Sequence, residues 1–303
     1  MLLFLFIISI IFNLTLSIPL LFMDLSHTID PTIPFFPSQT RFNFTQRTAQ
    51  WINNESSFFY SSNTFITSEH MGTHIDAPYH FSSTGWKLDE IPLKHLISIH
   101  ARVIDISEKC HKNKNYLITI DDVKNSDLIV PEIDEDDGGK FLFVLIFYTG
   151  WTKYWPDQIT YAGGESDIEF PGLSEQLATY LIDTHGDNLV GIGIDTLSLD
   201  YGRSKTFPVH QILAKHNKYG LENLALVDSL LENVNKYFFR LDIFPMKIGN
   251  GTGAPCRIIA RIDNTSRNTT NWFGLLFFFF LLFIIGLIIK VIYDFKYNPN
   301  KNF

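Results

Sequence analysis

Four side chains that can bind divalent metals lie within one eleven-residue segment of the sequence, His70–His80. The segment reads HMGTHIDAPYH, and the four candidates are His70, His74, Asp76 and His80. Imidazole nitrogens and carboxylate oxygens are the ligands that zinc and similar cations take in proteins. The sequence therefore indicates a metal site, and a histidine-rich loop without a metal is the alternative interpretation.

The spacing of these candidates favours an extended segment over a helix. A helix would put His70 and His74 on one face but would turn Asp76 to the opposite side. In an extended chain alternate side chains share a face, so all four candidates would project together. Gly72 and Pro78 also disfavour an uninterrupted helix. The elements on either side must therefore present this segment as a strand or loop.

A metal site built on one loop usually takes a further ligand from elsewhere in the chain. His210 and Glu222 are candidates for that ligand. Composition alone does not single them out, because a lone histidine or glutamate is more often a surface residue.

Buried strands alternate with helices along the rest of the chain. Phe141–Thr149 and Val190–Ile194 are continuously apolar, which predicts strands covered on both faces. Glu175–His185 has the pattern of an amphipathic helix, with Ser174 as its N-cap. Further strands are predicted at Leu20–Leu25, within 40–67, and at Ser98–Ile106, Leu224–Leu226, Lys236–Leu241 and Arg257–Ile262, with helices after Thr119 and at His210–His216. This alternation predicts a single α/β domain with a mixed sheet.

Both ends of the chain are strongly apolar. Residues 1–17 are predicted to be a signal peptide, because Leu2–Phe12 has the length of its apolar core; an uncleaved anchor is the alternative. Residues 273–292 are predicted to be a transmembrane helix, because Phe273–Ile289 carries no charge and Trp272 precedes it. A buried core helix and a lipid-anchor signal fit this segment less well.

These two ends predict a single-pass type I membrane protein. Its body would be residues 18–263, in an extracellular or lumenal compartment, followed by a stalk at 264–272 and a short cytoplasmic tail at 293–303. Glycosylation sequons agree with that placement and begin at Asn43, Asn54, Asn250, Asn264 and Asn268. Cys110 and Cys256 are the only cysteines, and one disulfide between them is possible.

The charge of the chain bears on its partners. The formal net charge is −8, which argues against nucleic acid as a partner. The partners expected instead are a membrane through the C-terminal helix and further copies of the chain in a homo-oligomer.

The chain resembles the cyclase family, which includes the metal-dependent kynurenine formamidases (arylformamidases) and the isatin hydrolases. The family pattern HxGTHxDxPxH is matched by His70–His80. Other matching blocks are Asp24–His27, Pro171–Ser174, Gly193–Asp200, His210 with Glu222, and Pro245–Arg257. The resemblance covers about residues 22–262 and implies a swivelling β/β/α-like fold.

The resemblance also implies a role for each candidate residue. It implies a binuclear centre with two divalent ions, zinc or manganese. His70, His74 and Asp76 would hold one ion, and Asp76, His210 and Glu222 would hold the other, with Asp76 and Glu222 bridging. His80 would then be the general acid and base rather than a ligand.

The activity implied by the resemblance is hydrolysis of N-formyl-L-kynurenine to L-kynurenine and formate, a step of tryptophan catabolism. The small-molecule partner that the resemblance implies is therefore an aryl formamide or cyclic amide. A cyclic-amide or ester hydrolase of the same family is the first alternative, and a surface protein that binds without catalysis is the second. Tyr79, Phe81 and Trp86 lie near the motif and would either line an aryl pocket or belong to the core.

Overall fold

The structure is a computed structural model, and it describes residues 20–53, 57–131, 139–163, 167–234, 238–263 and 269–297. The predicted signal peptide and most of the predicted stalk lie outside these ranges. The chain divides into two units, Phe22–Ile262 and a terminal unit made of Met1–Leu21 and Asp263–Phe303.

The unit Phe22–Ile262 is built on one mixed sheet that closes on itself. The strands of the described ranges are β1 (Leu20–Asp24), β2 (Asn43–Asn53), β3 (Ser57–Ile66), β4 (His74–Asp76), β5 (Ile99–Asp105), β6 (Leu117–Ile118), β7 (Phe143–Tyr148), β8 (Gly172–Leu173), β9 (Leu189–Ile194), β10 (Tyr219–Glu222), β11 (Phe239–Pro245) and β12 (Gly253–Asp263). Eight of them form the sheet in the order β1-β12-β11-β5-β7-β9-β10-β4, and a further pairing of β4 with β12 closes it.

The helices lie between and after these strands. Within the described ranges they are α1 (Ser107–Lys112), α2 (Ile120–Lys124), α3 (Gln158–Ala162), α4 (Glu175–His185), α5 (Pro208–Lys215), α6 (Val227–Val234) and α7 (Thr269–Tyr297). The Ser174 hydroxyl accepts a hydrogen bond from the Leu177 amide, so it is the N-cap of α4, as predicted.

The centre of the sheet is parallel because its strands are apolar on both faces. β5, β7, β9 and β10 run parallel to their neighbours in this group. Val144 and Ile146 of β7 belong to one hydrophobic cluster, and Phe143, Leu145 and Phe147 belong to the other. The first cluster includes residues of β11 and β12, and the second includes residues of α4 and α5. Helices thus cover one face of the central strands while the closed sheet encloses the other.

The predicted α/β domain with a mixed sheet is confirmed for Phe22–Ile262. The swivelling β/β/α-like fold that the resemblance implied is wrong, because the pairing of β4 with β12 closes the sheet. The predicted strand at Leu224–Leu226 is also wrong, because the strand in this region is β10, Tyr219–Glu222. Asn223 and Leu226 have φ values of 55° and 52°, in the left-handed region that interrupts a strand.

The predicted transmembrane helix is wrong. Residues 273–292 fall within α7, but among the residues that the structure describes no helix combines the length and the apolar character that crossing a membrane requires. The membrane partner, the single-pass type I placement and the predicted position of the catalytic domain across a membrane are corrected with it.

The two cysteines are both free and buried. Cys110 lies in α1 and belongs to the cluster that includes α4, whereas Cys256 lies in β12 and belongs to the other cluster. The disulfide that the sequence left open does not form in this structure.

Candidate metal centre

Strand β4 is short and lies between two partners, which concentrates polar side chains at one point of the sheet. It pairs antiparallel with β10 and with β12. In these pairings His74 lies opposite Glu222, and Asp76 lies opposite Gly220 and Gly253. Ile75, between the two candidates, is fully buried in the hydrophobic core. The alternation of a strand therefore turns both His74 and Asp76 away from that core.

The first group of candidate ligands comes from one continuous segment. Nδ1 of His70 lies 2.5 Å from Oδ1 of Asp76, and Nε2 of His74 lies 3.1 Å from the same oxygen. One donor atom from each of the three residues falls within 4.8 Å of the other two. His74 and Asp76 are buried, and the His70 side chain is only 11% exposed.

The second group joins three distant parts of the chain at the same carboxylate. Nε2 of His210 lies 3.1 Å from Oδ2 of Asp76 and 3.0 Å from Oε1 of Glu222. All three side chains are buried, and their donor atoms also fall within 4.8 Å of one another. Asp76 thus belongs to both groups, with one carboxylate oxygen facing each of them.

The five residues to which the resemblance gives ligand roles meet in one cluster. The extended conformation inferred from their spacing holds only for His74–Asp76. Gly72 turns the chain before the strand with a φ of 63°, and Pro78–His80 forms a 3-10 turn after it. His80 is therefore brought to the cluster by a turn rather than by strand alternation.

Two histidines are oriented by hydrogen bonds from their outer nitrogens. Nδ1 of His74 donates to the Gly72 carbonyl at 2.9 Å, and Nδ1 of His210 donates to Oδ2 of Asp200 at 2.6 Å. Each bond leaves Nε2 facing the cluster with its lone pair available. A second bond of this kind is typical of metal-bound histidines, because it fixes the tautomer and the ring orientation.

Asp200 is a functional residue that the sequence analysis did not assign. Its carboxylate also accepts the amides of Val209 and His210, both at 3.1 Å, at the start of α5. It therefore caps the helix and orients the candidate ligand in the same contact. The N-cap position of α5 is Phe207, and Asp200 lies seven residues before it, so no capping pattern in the sequence pointed to Asp200.

Asn223 connects the segment that carries Glu222 to the segment that precedes His74. Its side-chain amide donates to the Gly72 carbonyl at 2.8 Å, and its own carbonyl accepts the Thr73 hydroxyl at 2.6 Å. Its side-chain oxygen accepts from the buried Tyr161 hydroxyl at 2.9 Å. The residue after Glu222 is thereby tied to the residues that precede His74.

The chemistry of the donor set fits a divalent metal. Nε2 of His74 is buried and lies 3.1 Å from Oδ1 of Asp76 and 3.4 Å from Oε2 of Glu222, but neither contact has the geometry of a hydrogen bond. A buried nitrogen without a partner is costly unless something else binds it. Two carboxylates and three imidazoles around that nitrogen are a combination that zinc and manganese accept.

The pKa values of the cluster residues depend on burial and on the opposite charges of their neighbours. Burial lowers the pKa of His74, but the Asp76 and Glu222 carboxylates outweigh it and raise that pKa to about 9. Burial also opposes ionisation of Asp76, yet the neighbouring histidines lower its pKa well below the ordinary value. The pKa of His210 is raised well above its ordinary value, since hydrogen bonds to three carboxylates outweigh burial. Without a cation, the histidines therefore hold protons where a metal would supply positive charge.

His80 lies at the open side of the cluster. Its ring stacks on His70 with centroids 3.9 Å apart, while the residue as a whole is exposed. Burial of the stacked ring face lowers the pKa of His80 to about 4, and the charges of His70 and His210 act in the same direction. The Asp76 carboxylate opposes this shift but does not outweigh it. His80 is therefore neutral at pH 7 and able to accept a proton.

Aromatic rings border this open side. Phe81 packs against His210 with centroids 4.8 Å apart, and Phe207 lies 5.6 Å from Phe81. Of the aromatics named from the sequence, Phe81 lines the cleft beside Asp76. Tyr79 is 36% exposed, and Trp86 packs against the core and His95. Phe207 was not predicted, because it lies far from the motif in sequence.

Together, the site and the fold define the class of the protein. It is a metal-dependent hydrolase whose candidate ligands are carboxylate oxygens and imidazole nitrogens. A family model for the Cyclase family matches residues 23–201. The chain is 31% identical over 242 residues to the kynurenine formamidase of Geobacillus thermodenitrificans, a match that spans 79% of this chain and 96% of that enzyme. It is 29% identical over 214 residues to the isatin hydrolase of Roseibium aggregatum, spanning 67% and 76%.

A solved structure shares the fold. Isatin hydrolase A from Labrenzia aggregata, bound to benzyl benzoate, superposes with a TM-score of 0.62 at 26% identity, over 81% of this chain and 94% of that one. The chain belongs to the cyclase family. It is a metal-dependent hydrolase that acts on carbon–nitrogen bonds other than peptide bonds, which the names of its relatives and the donor set support.

Proposed function

We propose that this chain is an arylformamidase that hydrolyses N-formyl-L-kynurenine to L-kynurenine and formate. The observation that carries the proposal is the pair of three-ligand groups that share Asp76, placed beside a neutral histidine and two aromatic rings. The kynurenine formamidase relative, which is matched over nearly its whole length, supports the choice of substrate.

The metal part of the proposal concerns which residues hold the ions. His70, His74 and Asp76 would hold one divalent ion, and Asp76, His210 and Glu222 would hold a second, zinc or manganese. When bound, such ions supply Lewis acidity and make water more acidic. Asp200 and the Gly72 carbonyl keep the Nε2 atoms of His210 and His74 directed at those positions.

His80 has the proton-transfer role in this proposal. It is the histidine of the motif that lies outside both three-ligand groups, and its neutral ring can accept a proton at pH 7. A base that takes a proton from water can return it to the departing amine, which leaves poorly without one. Phe81 and Phe207 provide an apolar surface against which an aryl group would pack beside that histidine.

A cyclic-amide hydrolase is the second candidate. The isatin hydrolase relative matches this chain at nearly the same identity as the formamidase, and isatin hydrolase A shares its fold. Both reactions open a carbon–nitrogen bond next to an aromatic ring, so the cluster itself does not distinguish them. The shape of the aromatic border is what would select one substrate.

Side-by-side turnover of N-formyl-L-kynurenine and isatin tests the proposal. The purified full chain, loaded with zinc or manganese, should hydrolyse the formamide with the higher kcat/KM, and a chelator should abolish turnover. His80→Ala should bind the metal with unchanged stoichiometry but lose activity by about 100-fold or more.

The controls separate the possible failures. Tyr79→Ala serves as the matched variant, since this exposed neighbour of His80 faces Lys87 rather than the cluster. Faster turnover of isatin would support the second candidate. A folded, metal-loaded protein inert toward both substrates would contradict both, and loss of metal from His80→Ala would make His80 a ligand.

A further inference from the structure

The ring of His70 contacts two residues outside the candidate ligand set, Thr252 directly and Glu69 through it. Nε2 of His70 lies 2.9 Å from the Thr252 hydroxyl, while Nδ1 of the same ring lies 2.5 Å from Oδ1 of Asp76. The Thr252 hydroxyl donates to Oε2 of Glu69, and the Thr252 backbone amide donates to the same oxygen at 3.0 Å. A chain of hydrogen bonds therefore connects Glu69, Thr252 and His70.

This chain of hydrogen bonds determines which nitrogen of His70 carries the proton. A threonine hydroxyl has one hydrogen, and here it is donated to the Glu69 carboxylate. The hydroxyl oxygen therefore accepts from Nε2 of His70, which leaves the lone pair of the ring on Nδ1, the nitrogen beside Asp76. His74 and His210 have the opposite orientation, since each donates from Nδ1 and faces the cluster with Nε2.

Thr252 is held on both sides of its side chain. Its carbonyl accepts the Ala77 amide at 2.8 Å, one residue after Asp76, and its amide is bound by Glu69. Glu69 and Thr252 are both half-buried, so their hydrogen bonds are partly shielded from water and are stronger than the same bonds on an exposed surface. The hydroxyl therefore has a defined position relative to both His70 and Asp76.

We propose that Glu69 and Thr252 are positioning residues for the metal position that His70 serves, and that they select Nδ1 as its ligand atom. The inference rests on the metal centre of the proposed function and adds two residues to it. A hydrogen-bond acceptor on the outer nitrogen of a ligand histidine fixes the tautomer and makes the ring a better ligand. Because His80 stacks on His70 with centroids 3.9 Å apart, the same contacts fix the surface against which His80 lies.

Zinc titration of the full chain, with variants that remove different parts of the contact, tests this proposal. Glu69→Gln keeps an oxygen that can accept both Thr252 groups but removes the charge, whereas Thr252→Val removes the hydroxyl with little change of shape. Each variant should weaken the binding of one of two zinc ions by about 10–100-fold and leave the binding of the other unchanged. Thr252→Ser, which keeps the hydroxyl, should bind zinc as the wild type does.

Combined variants distinguish a shared chain of contacts from independent structural damage. Glu69→Gln with Thr252→Val should weaken zinc binding no more than the stronger single variant does, because both act through His70. Glu69→Gln with Asp200→Asn should weaken both ions, because Asp200 contacts a different histidine, His210.

Nitrogen NMR spectra of the histidine side chains report the ligand atom directly. In the zinc-loaded wild type, His70 should have a protonated Nε2 and a metal-bound Nδ1, and His74 and His210 should show the reverse. In zinc-saturated Thr252→Val the ring signals of His70 should shift, while those of His74 and His210 remain in place.

Glu90→Gln is the matched control, because this exposed glutamate also accepts a backbone amide, that of Lys87 at 2.9 Å, but lies outside the cluster. It should bind zinc as the wild type does. A wild type that binds no metal would overturn this proposal together with the metal centre of the proposed function.

Other outcomes would overturn this proposal alone. One is a wild type that binds two ions while Glu69→Gln and Thr252→Val bind them equally well. A second is a His70 that binds zinc through Nε2. A third is a Thr252→Ser variant that binds as weakly as Thr252→Val, which would assign the loss to packing rather than to the hydroxyl.

Discussion

The Nδ1 atom of His210 lies 2.6 Å from Oδ2 of Asp200, and the same carboxylate accepts two backbone amides at the start of α5. One buried side chain therefore fixes both the direction of the helix and the tautomer of a candidate ligand on it. The orientation of His210 toward Asp76 and Glu222 is a consequence of this contact.

Asp200→Asn should weaken metal binding without unfolding the protein. Asparagine has a single acceptor oxygen in place of two, so it cannot keep all three contacts to the helix amides and the His210 ring, and the imidazole becomes a weaker ligand. We expect affinity for zinc to fall by about 10–100-fold, the usual effect of removing an outer-shell carboxylate. Competition with a chromophoric chelator measures this change.

Asp183→Asn is the matched control, because this carboxylate is exposed on α4 and lies outside the cluster. It should bind zinc as the wild type does. Equal zinc affinities for Asp200→Asn and the wild type would show that the His210 orientation does not depend on this bond.

Gly253→Ala should displace His70 and destabilise the site. A Cβ atom at residue 253 would lie 2.6 Å from Cε1 of His70 and 2.6 Å from the carbonyl oxygen of Ile75, so the ring or the strand must move. Overpacking of this kind costs about 1–3 kcal/mol of unfolding free energy. Urea unfolding and zinc affinity should both report the loss.

Gly249 offers the matched comparison for that substitution. A Cβ atom there would meet nothing within 4 Å, and the glycine has no positive φ in this structure. Gly249→Ala should keep zinc affinity and leave the free energy of unfolding unchanged or raise it by about 0.4–1 kcal/mol. If both alanine variants behave alike, crowding against His70 is not what position 253 controls.

Metal binding should release protons. The pKa of His74 is raised to about 9 and that of His210 is raised well above its ordinary value, so both hold protons at pH 7.5 when no metal is bound. Ligand nitrogens must be deprotonated, and about two protons should therefore leave the protein on binding. Because protons compete with the metal for these nitrogens, the apparent affinity for the metal falls as the pH falls.

Calorimetric titration in two buffers of different ionisation enthalpy measures those protons directly. The observed heats should differ in proportion to the number released. His80→Ala should release as many as the wild type, because the pKa of His80 is lowered to about 4 and its ring is already neutral. Identical heats in both buffers would contradict the protonation assigned to His74 and His210.

The sequence predicts the candidate ligands better than it predicts the residues that orient them. His70, His74 and Asp76 are close in sequence, so a spacing argument reaches them without a fold. His210 and Glu222 entered through family resemblance, because Glu222 reaches the cluster by the pairing of β10 with β4 and His210 reaches it from α5. Asp200 was not assigned because it lies seven residues before the N-cap position of α5, so its contact with His210 depends on the fold of the intervening chain.

The mistaken predictions of a strand at Leu224–Leu226 and of a membrane span have a common cause. Each was made from local apolar composition alone. The apolar run Leu224–Leu226 has strand propensity, but left-handed backbone at Asn223 and Leu226 interrupts the extended conformation. The apolar run near the C-terminus correctly predicts a helix, α7. Apolar composition alone does not establish that a helix crosses a membrane, and no helix of the described residues meets that requirement.

His27 should make the protein less stable in mild acid. Its ring stacks on Trp155 with centroids 3.9 Å apart, and its buried Nε2 has no hydrogen-bond partner within the described residues. Burial lowers the pKa of His27 from 6.5 to about 4. Between these values the unfolded chain binds a proton that the folded chain excludes, so this contribution is complete above pH 6.5 and is lost as the pH falls toward 4.

Urea unfolding in the presence of a chelator, at pH 7 and pH 4.5, measures this effect without a contribution from metal loss. His27→Phe keeps the stack on Trp155 but cannot titrate, so it should lose less unfolding free energy than the wild type does, by on the order of 2 kcal/mol. His216→Phe is the control, since it makes the same substitution at an exposed histidine outside the stack on Trp155. An equal loss in the wild type and in His27→Phe would show that the ring of His27 accepts a proton within the fold.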